Sequence, residues 1–85
     1  MKFYFFYILR SLKNNKLYLG YTTDLKKRLK QHNSGSELAT KPNIPYEMIH
    51  FSGFKNMKDA KNMETYYKTI SGWKRLKHML KNTLN

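Results

Sequence analysis

The chain has 85 residues, enough for one small core and too few for a two-domain enzyme. It is 40% hydrophobic and 15% aromatic, which excludes a disordered tail, and it has no cysteine, which excludes disulfides, thiolate metal sites and thiol nucleophiles. Seventeen Lys and Arg against five Asp and Glu leave a net charge of +12, whose self-repulsion calls for a polyanionic partner, nucleic acid first and an anionic membrane surface second.

The apolar run at the start, FYFFYIL, is too short to span a bilayer and is followed by a Lys/Asn cluster, so neither a membrane span nor a signal peptide is expected. A single domain over residues 1–85 in the bacterial cytosol is the expectation. Residues 3–10 (FYFFYILR) are apolar on both alternating faces, as in a central strand covered on both sides. The polar KNN at 13–15 separates them from KLYLGYT at 16–22 and predicts a hairpin, with Gly20 marking a bulge or a close backbone approach.

Thr22, Thr23 or Asp24 caps a predicted helix at about 24–34, and Gly35 suits its left-handed exit. Residues 34–45 hold two prolines and no sustained period, and predict an exposed loop carrying Lys41. A third strand is predicted over 46–54, then a helix over 57–70 capped by Asn56, with Ala60, Met63, Tyr67 and Ile70 on one stripe and Ser71-Gly72 ending it. The segment 73–82 (WKRLKHMLKN) predicts a basic amphipathic helix. The order is β-β-α-β-α-α, an α/β (α+β) arrangement in which helices pack against a small mixed or antiparallel sheet.

Turning the first helix by about 100° per residue puts Arg28 and His32 on the side of Leu25 and Leu29, and Lys26, Lys27, Lys30 and Gln31 on the solvent side. A cation aimed at an apolar face needs a partner or an anionic ligand; the bland alternative is an arginine lying along the helix edge and a satisfied core histidine. Glu64, one of five acids, falls beside the apolar stripe of the second helix. It suits a divalent cation, whose shell is completed by water and substrate oxygens, or else a surface ion pair with Lys68 at i+4. A four-residue hairpin loop, Leu12–Asn15, would set Leu9 opposite Tyr18 and bring Tyr7 diagonally onto the same face, although any one of seven tyrosines could be there only to pack.

Tyr7 at the end of a hydrophobic strand, Tyr18-Leu19-Gly20 beginning eleven residues later, Arg28 ten residues beyond Tyr18, His32 one helical turn further and a helical Glu64 together resemble the GIY-YIG endonuclease superfamily. The likeness runs from Phe3 to about Leu80. It is nearest to small single-domain bacterial members similar to the nuclease module of the excision-repair C subunit and to the catalytic part of eukaryotic structure-specific endonucleases. FYILRS, LYLGYTTDLKKRLKQHNSG and METYYK carry it.

The resemblance implies a three-stranded antiparallel sheet flanked by helices, and a structure-directed DNA endonuclease, in repair or recombination, that uses one Mg²⁺ or Mn²⁺ and no organic cofactor. It implies that Tyr7 and Tyr18 are the paired tyrosines, Arg28 the phosphate-stabilising arginine, His32 the helix histidine of some members and Glu64 the metal ligand. Tyr7, Tyr18 and His32 all stay open as the general base, with Tyr7 preferred. The chain departs from the pattern in reading Phe5-Phe6-Tyr7 where the name-giving tripeptide has Gly-Ile-Tyr, and Tyr21 where the excision-repair relatives have Lys. The Asn that many members carry near the end of the domain has no counterpart assigned at Asn82 or Asn85.

DNA phosphates are expected on Lys26, Lys27, Lys30, Lys41, Lys74, Arg75 and Lys77, contacts that hold DNA without reading bases. The competing interpretations are a basic nucleic-acid-binding module without catalysis, separated by metal-dependent cutting, and a C-terminal helix lying on a membrane. Against the latter, Leu76, Met79 and Leu80 are needed to cover the sheet.

Overall fold

In the computed structural model, which describes residues 2–85, three antiparallel strands form one sheet in the order β2-β1-β3. They are β1 (Tyr4–Ser11), β2 (Leu17–Thr22) and β3 (Tyr46–Phe54), interleaved with α1 (Leu25–Asn33), α2 (Met57–Tyr67) and α3 (Ile70–Met79). β1 is central because Phe6, Tyr7, Ile8 and Leu9 are all buried, and only a strand with cover on both faces can hide consecutive residues.

The hairpin closes at Ser11, whose N–H donates to the Lys16 carbonyl at 2.8 Å, and Asn15 takes the left-handed backbone (φ 63°) that the tight turn needs. The register follows from that loop: Leu9 faces Tyr18, and Tyr7 faces Gly20. Against β3, Tyr7 pairs with Phe51 and Phe5 with Gly53, with a bulge between Ile8 and Leu9.

One sheet face carries Tyr7, Leu9 and Tyr46 under Leu25 and Leu29 of α1; the other carries Phe6, Ile8 and Leu19 under Tyr67 of α2 and Leu76 of α3, with Leu80 just after it. The result is three layers, with α1 alone on the Tyr7 side. Asp24 starts α1, its carboxylate accepting from the Lys27 N–H at 3.0 Å, and Gly35 (φ 81°) ends it.

Two expectations are corrected. α2 stops at Tyr67, not at residue 70: the Thr69 hydroxyl accepts from the Gly72 N–H at 3.0 Å and caps α3, so Ser71-Gly72 lies in the first turn of α3 and Ile70 is 80% exposed instead of continuing the apolar stripe. Gly72 is required there because a Cβ would collide with the Tyr66 carbonyl, so close do the two helices run. The segment 34–45 is also not uniformly exposed, since Thr40 is fully buried just before a 3-10 turn at Lys41–Asn43. Among the described residues no helix is long and apolar enough to cross a membrane.

Candidate active site

The centre of the Tyr7 face is a buried polar cluster. Tyr7 lies across from Gly20, and a Cβ on that glycine would sit 2.6 Å from the phenol oxygen, so the ring occupies the space a side chain would take. This is the close approach that the glycine in the second strand foretold. Gly20→Val therefore pushes the phenol out of place, and a loss of about 1–3 kcal/mol in urea unfolding is expected, with no comparable loss for Gly35→Asn at the helix exit.

Tyr7 is 1% exposed, and its hydroxyl meets two partners: Arg28 Nε donates to it at 3.3 Å, and His32 Nε2 lies at 2.9 Å. Because Arg28 has only protons to give, the phenol proton goes to His32 Nε2. Nδ1–H of the same imidazole then donates to the Thr40 hydroxyl at 2.9 Å, which in turn donates to the Glu37 carbonyl at 3.4 Å. Every donor in this series finds an acceptor only if His32 is neutral. Burial, joined by the Arg28 charge, lowers the His32 pKa below 6.5 despite the opposing pull of Glu37. Burial likewise raises the Tyr7 phenol; the hydrogen bond and charge of Arg28 oppose this, while the charges of Tyr18 and Glu64 add to it.

Arg28 is 25% exposed at its side chain, and Nη1 donates to Gln31 Oε1 at 3.1 Å and to Glu37 Oε1 at 2.7 Å. Burial works against its charge, but the bonds to Tyr7 and Glu37 outweigh that and raise its pKa. Beside it a polar depression of about 300 Å³ is lined by Thr22, Thr23, Asp24, Lys27, Arg28 and Gln31. Tyr18 is half-buried, with its ring 4.9 Å from that of His32.

Glu64 comes from the opposite layer but is not turned to bulk solvent: its side chain is 19% exposed, and Lys68 stands off at 3.8 Å. The other four acids are engaged or distant, with Asp24 capping α1, Glu37 on Arg28, Glu47 on Arg10 and Asp59 in the first turn of α2. Among the described residues no three His, Cys, Asp or Glu gather into a metal cage. A single half-shielded carboxylate with a loose cationic neighbour fits a divalent ion whose remaining ligands are water and substrate oxygens.

Both basic sets are exposed, but they do not share a face. Lys26, Lys27 and Lys30 lie on α1, with the Lys41 stem against Gly35 at its end, whereas Lys74, Arg75 and Lys77 belong to α3 across the sheet.

The model of the GIY-YIG catalytic domain family matches residues 3–77. The chain belongs to the GIY-YIG family. Among its relatives are the UPF0213 protein YsiG of Lactococcus lactis, 40% identical over 99% of this chain and 81% of that one, and the UPF0213 protein YazA of Bacillus subtilis, 39% identical over 80% and 69%. The solution NMR structure of the UPF0213 protein BH0048 from Bacillus halodurans superposes with a TM-score of 0.54 at 28% identity, covering 91% of this chain and 84% of that one. In this GIY-YIG chain Tyr7, Tyr18, Arg28 and His32 form one contact group, whereas Glu64 stands on α2, in the layer across the sheet. Sequence reasoning missed Gln31, Glu37 and Thr40. Gln31, three residues after Arg28 on a helix, was within reach of it by spacing alone; the other two lie in the loop and carry no periodic signal.

Proposed function

We propose that the chain is a divalent-metal-dependent endonuclease that hydrolyses DNA phosphodiester bonds in the cytosol, directed by DNA structure and not by base sequence, in repair or recombination. The observation that carries this is the placement of the Tyr7 hydroxyl between a guanidinium and a neutral imidazole. Water attacks phosphorus, the new P–O bond forms, and the bond to the departing sugar oxygen breaks, that oxygen taking a proton from solvent, to which His32 afterwards releases the one it has gained. The water proton passes to Tyr7 Oη while the phenol's own proton passes to His32 Nε2, so that no free phenolate has to exist at neutral pH. Arg28 keeps Nε on the phenol oxygen, where negative charge grows during transfer, and turns its Nη groups from Glu37 to the non-bridging phosphate oxygens. Tyr18 packs its ring against the imidazole and helps to hold it in position, and Thr40 fixes the tautomer.

Glu64 would hold the Mg²⁺ or Mn²⁺, which when bound polarises the phosphate and offsets charge on the leaving oxygen. Lys26, Lys27, Lys30 and Lys41 lie on the same side as Arg28 and would track the phosphates on either side of the cut; Lys74, Arg75 and Lys77 add to the long-range field that draws DNA in.

The test is cutting of nicked, flapped and branched DNA. Hydrolysis with Mg²⁺ or Mn²⁺, abolished in EDTA and in Glu64→Ala while that variant still binds DNA, is the expected result. Binding without cutting by either protein would reduce the chain to a nucleic-acid-binding module.

A further inference from the structure

The buried cluster beneath α1 takes in Tyr7, Leu9 and Tyr46, but the sheet face continues past it as an open aromatic surface. Phe5 precedes Tyr7 by two residues on β1 and so points to the same side, about 7 Å further along the strand. Phe51 is Tyr7's partner on β3. The rings of Phe3 and Phe51 flank that of Phe5 at 6.4 and 6.2 Å, and Phe51 is 57% exposed and Phe3 38%. Gly53 makes this possible: it stands opposite Phe5, and a Cβ there would be 3.2 Å from Phe5 Cε1 and 3.7 Å from Phe3 Cδ1, so both rings rest over bare backbone.

On its other flank Phe5 pairs with Thr22 of β2, and Thr22 lines the depression that also holds Lys27, Arg28 and Gln31. Cationic pocket and aromatic surface are therefore contiguous across three neighbouring strands. Phe5 also stands where the name-giving tripeptide has glycine, putting a ring where that motif provides none. A second copy of the chain would bring +12 against +12, so the surface is poorly suited to self-association, whereas a polyanion that carries flat apolar groups matches both halves of it.

We propose that Phe3, Phe5 and Phe51 form a stacking platform for unpaired bases of a DNA strand whose phosphate lies at Arg28. This rests on the nuclease function proposed above and specifies its substrate: DNA with a single-stranded segment adjoining the cut. Stacking is indifferent to base identity, which agrees with structure-directed recognition.

The test is equilibrium binding in EDTA, by fluorescence anisotropy, of a duplex with a single-stranded overhang and of a blunt duplex. The Phe3→Ser/Phe51→Ser double variant alters only exposed rings. It should bind the overhang substrate about tenfold more weakly than the wild type while keeping its affinity for blunt duplex. The slope of affinity against salt should not change, since no phosphate contact is removed. An abasic overhang should reproduce the same loss in the wild-type protein. Equal binding of the overhang by variant and wild type overturns the platform, as does equal weakening on both substrates, or a wild-type dimer in sedimentation that the variant dissolves. Because nothing is cut in EDTA, the two proposals fail separately: overhang preference in a protein that never cleaves refutes the nuclease and leaves the platform, and cleavage without overhang preference does the reverse.

Discussion

Tyr7→Phe is expected to lower the cleavage rate by about 10²–10⁴-fold at saturating DNA, because it deletes the oxygen that in the proposed relay joins the attacking water to His32. DNA affinity should stay within about twofold, since a buried phenol touches no distant phosphate. The variant will also lose about 1–3 kcal/mol of stability, as His32 Nε2 and Arg28 Nε are left without their partner in a buried site. Rates should therefore be measured well below its melting temperature. The pH profile separates a proton relay from a merely structural phenol. In the proposed relay turnover needs neutral His32, whose pKa burial lowers from 6.5, so the rate should climb as pH rises through that lowered value and level off above it. Burial raises the Tyr7 phenol above the ordinary tyrosine range, so the phenol keeps its proton across the range in which His32 titrates and His32 alone shapes the low-pH limb. Loss of the low-pH limb in Tyr7→Phe is expected; an unaltered limb would mean that His32 serves the reaction by another route. The same imidazole makes stability depend on pH. The unfolded chain takes up its proton near 6.5 and the folded chain only at lower pH, so this contribution is complete above 6.5 and declines as pH falls toward the folded value.

Strand and helix positions were legible where local chemistry was unambiguous. The run from Phe3 to Arg10 could only be a two-faced strand, Asp24 and Gly35 bracket the first helix, and the short hairpin sets Leu9 against Tyr18. From that register the two tyrosines fall on one face, and helical phase brings Arg28 and His32 to meet them. The boundary between the last two helices was not legible, because the spacing of Ala60, Met63 and Tyr67 continues to Ile70 without a break. Only the Thr69 cap and the close fit of Gly72 against Tyr66 reveal the turn. Glu37 and Thr40 escaped notice for a different reason. Burial within a loop is decided by what the loop packs against, and a segment with no period carries no trace of that. The division of the basic residues between two layers was hidden likewise, since net charge says how much there is and not which side of a sheet it lies on.

Glu37 supplies the second large effect, through Arg28. The guanidinium divides its donors between two jobs, Nε on the phenol and Nη1 on Glu37 and Gln31. Under the proposed function Glu37 takes the donors that a phosphate would use, and binding would exchange one anion for another. The pair is too exposed for its loss to matter much to folding, about 0–1 kcal/mol. Glu37→Gln should therefore leave stability nearly unchanged and lower KM for DNA, with the gain shrinking at high salt, where the competing pair is itself screened. Arg28→Lys should act in the opposite sense and on a different constant. An ammonium preserves the charge but has no rigid fork, so it cannot keep one donor on Tyr7 while two others follow the phosphate into its transition state. A fall of about 10²–10³-fold in kcat is expected, with DNA binding within a few-fold of wild type. If Arg28→Lys instead raised KM and spared kcat, the guanidinium would be a docking charge only. In the double variant Glu37→Gln/Arg28→Lys the affinity gained by removing Glu37 should persist while the kcat loss stays uncorrected, because the carboxylate competes for the phosphate site and takes no part in the transfer.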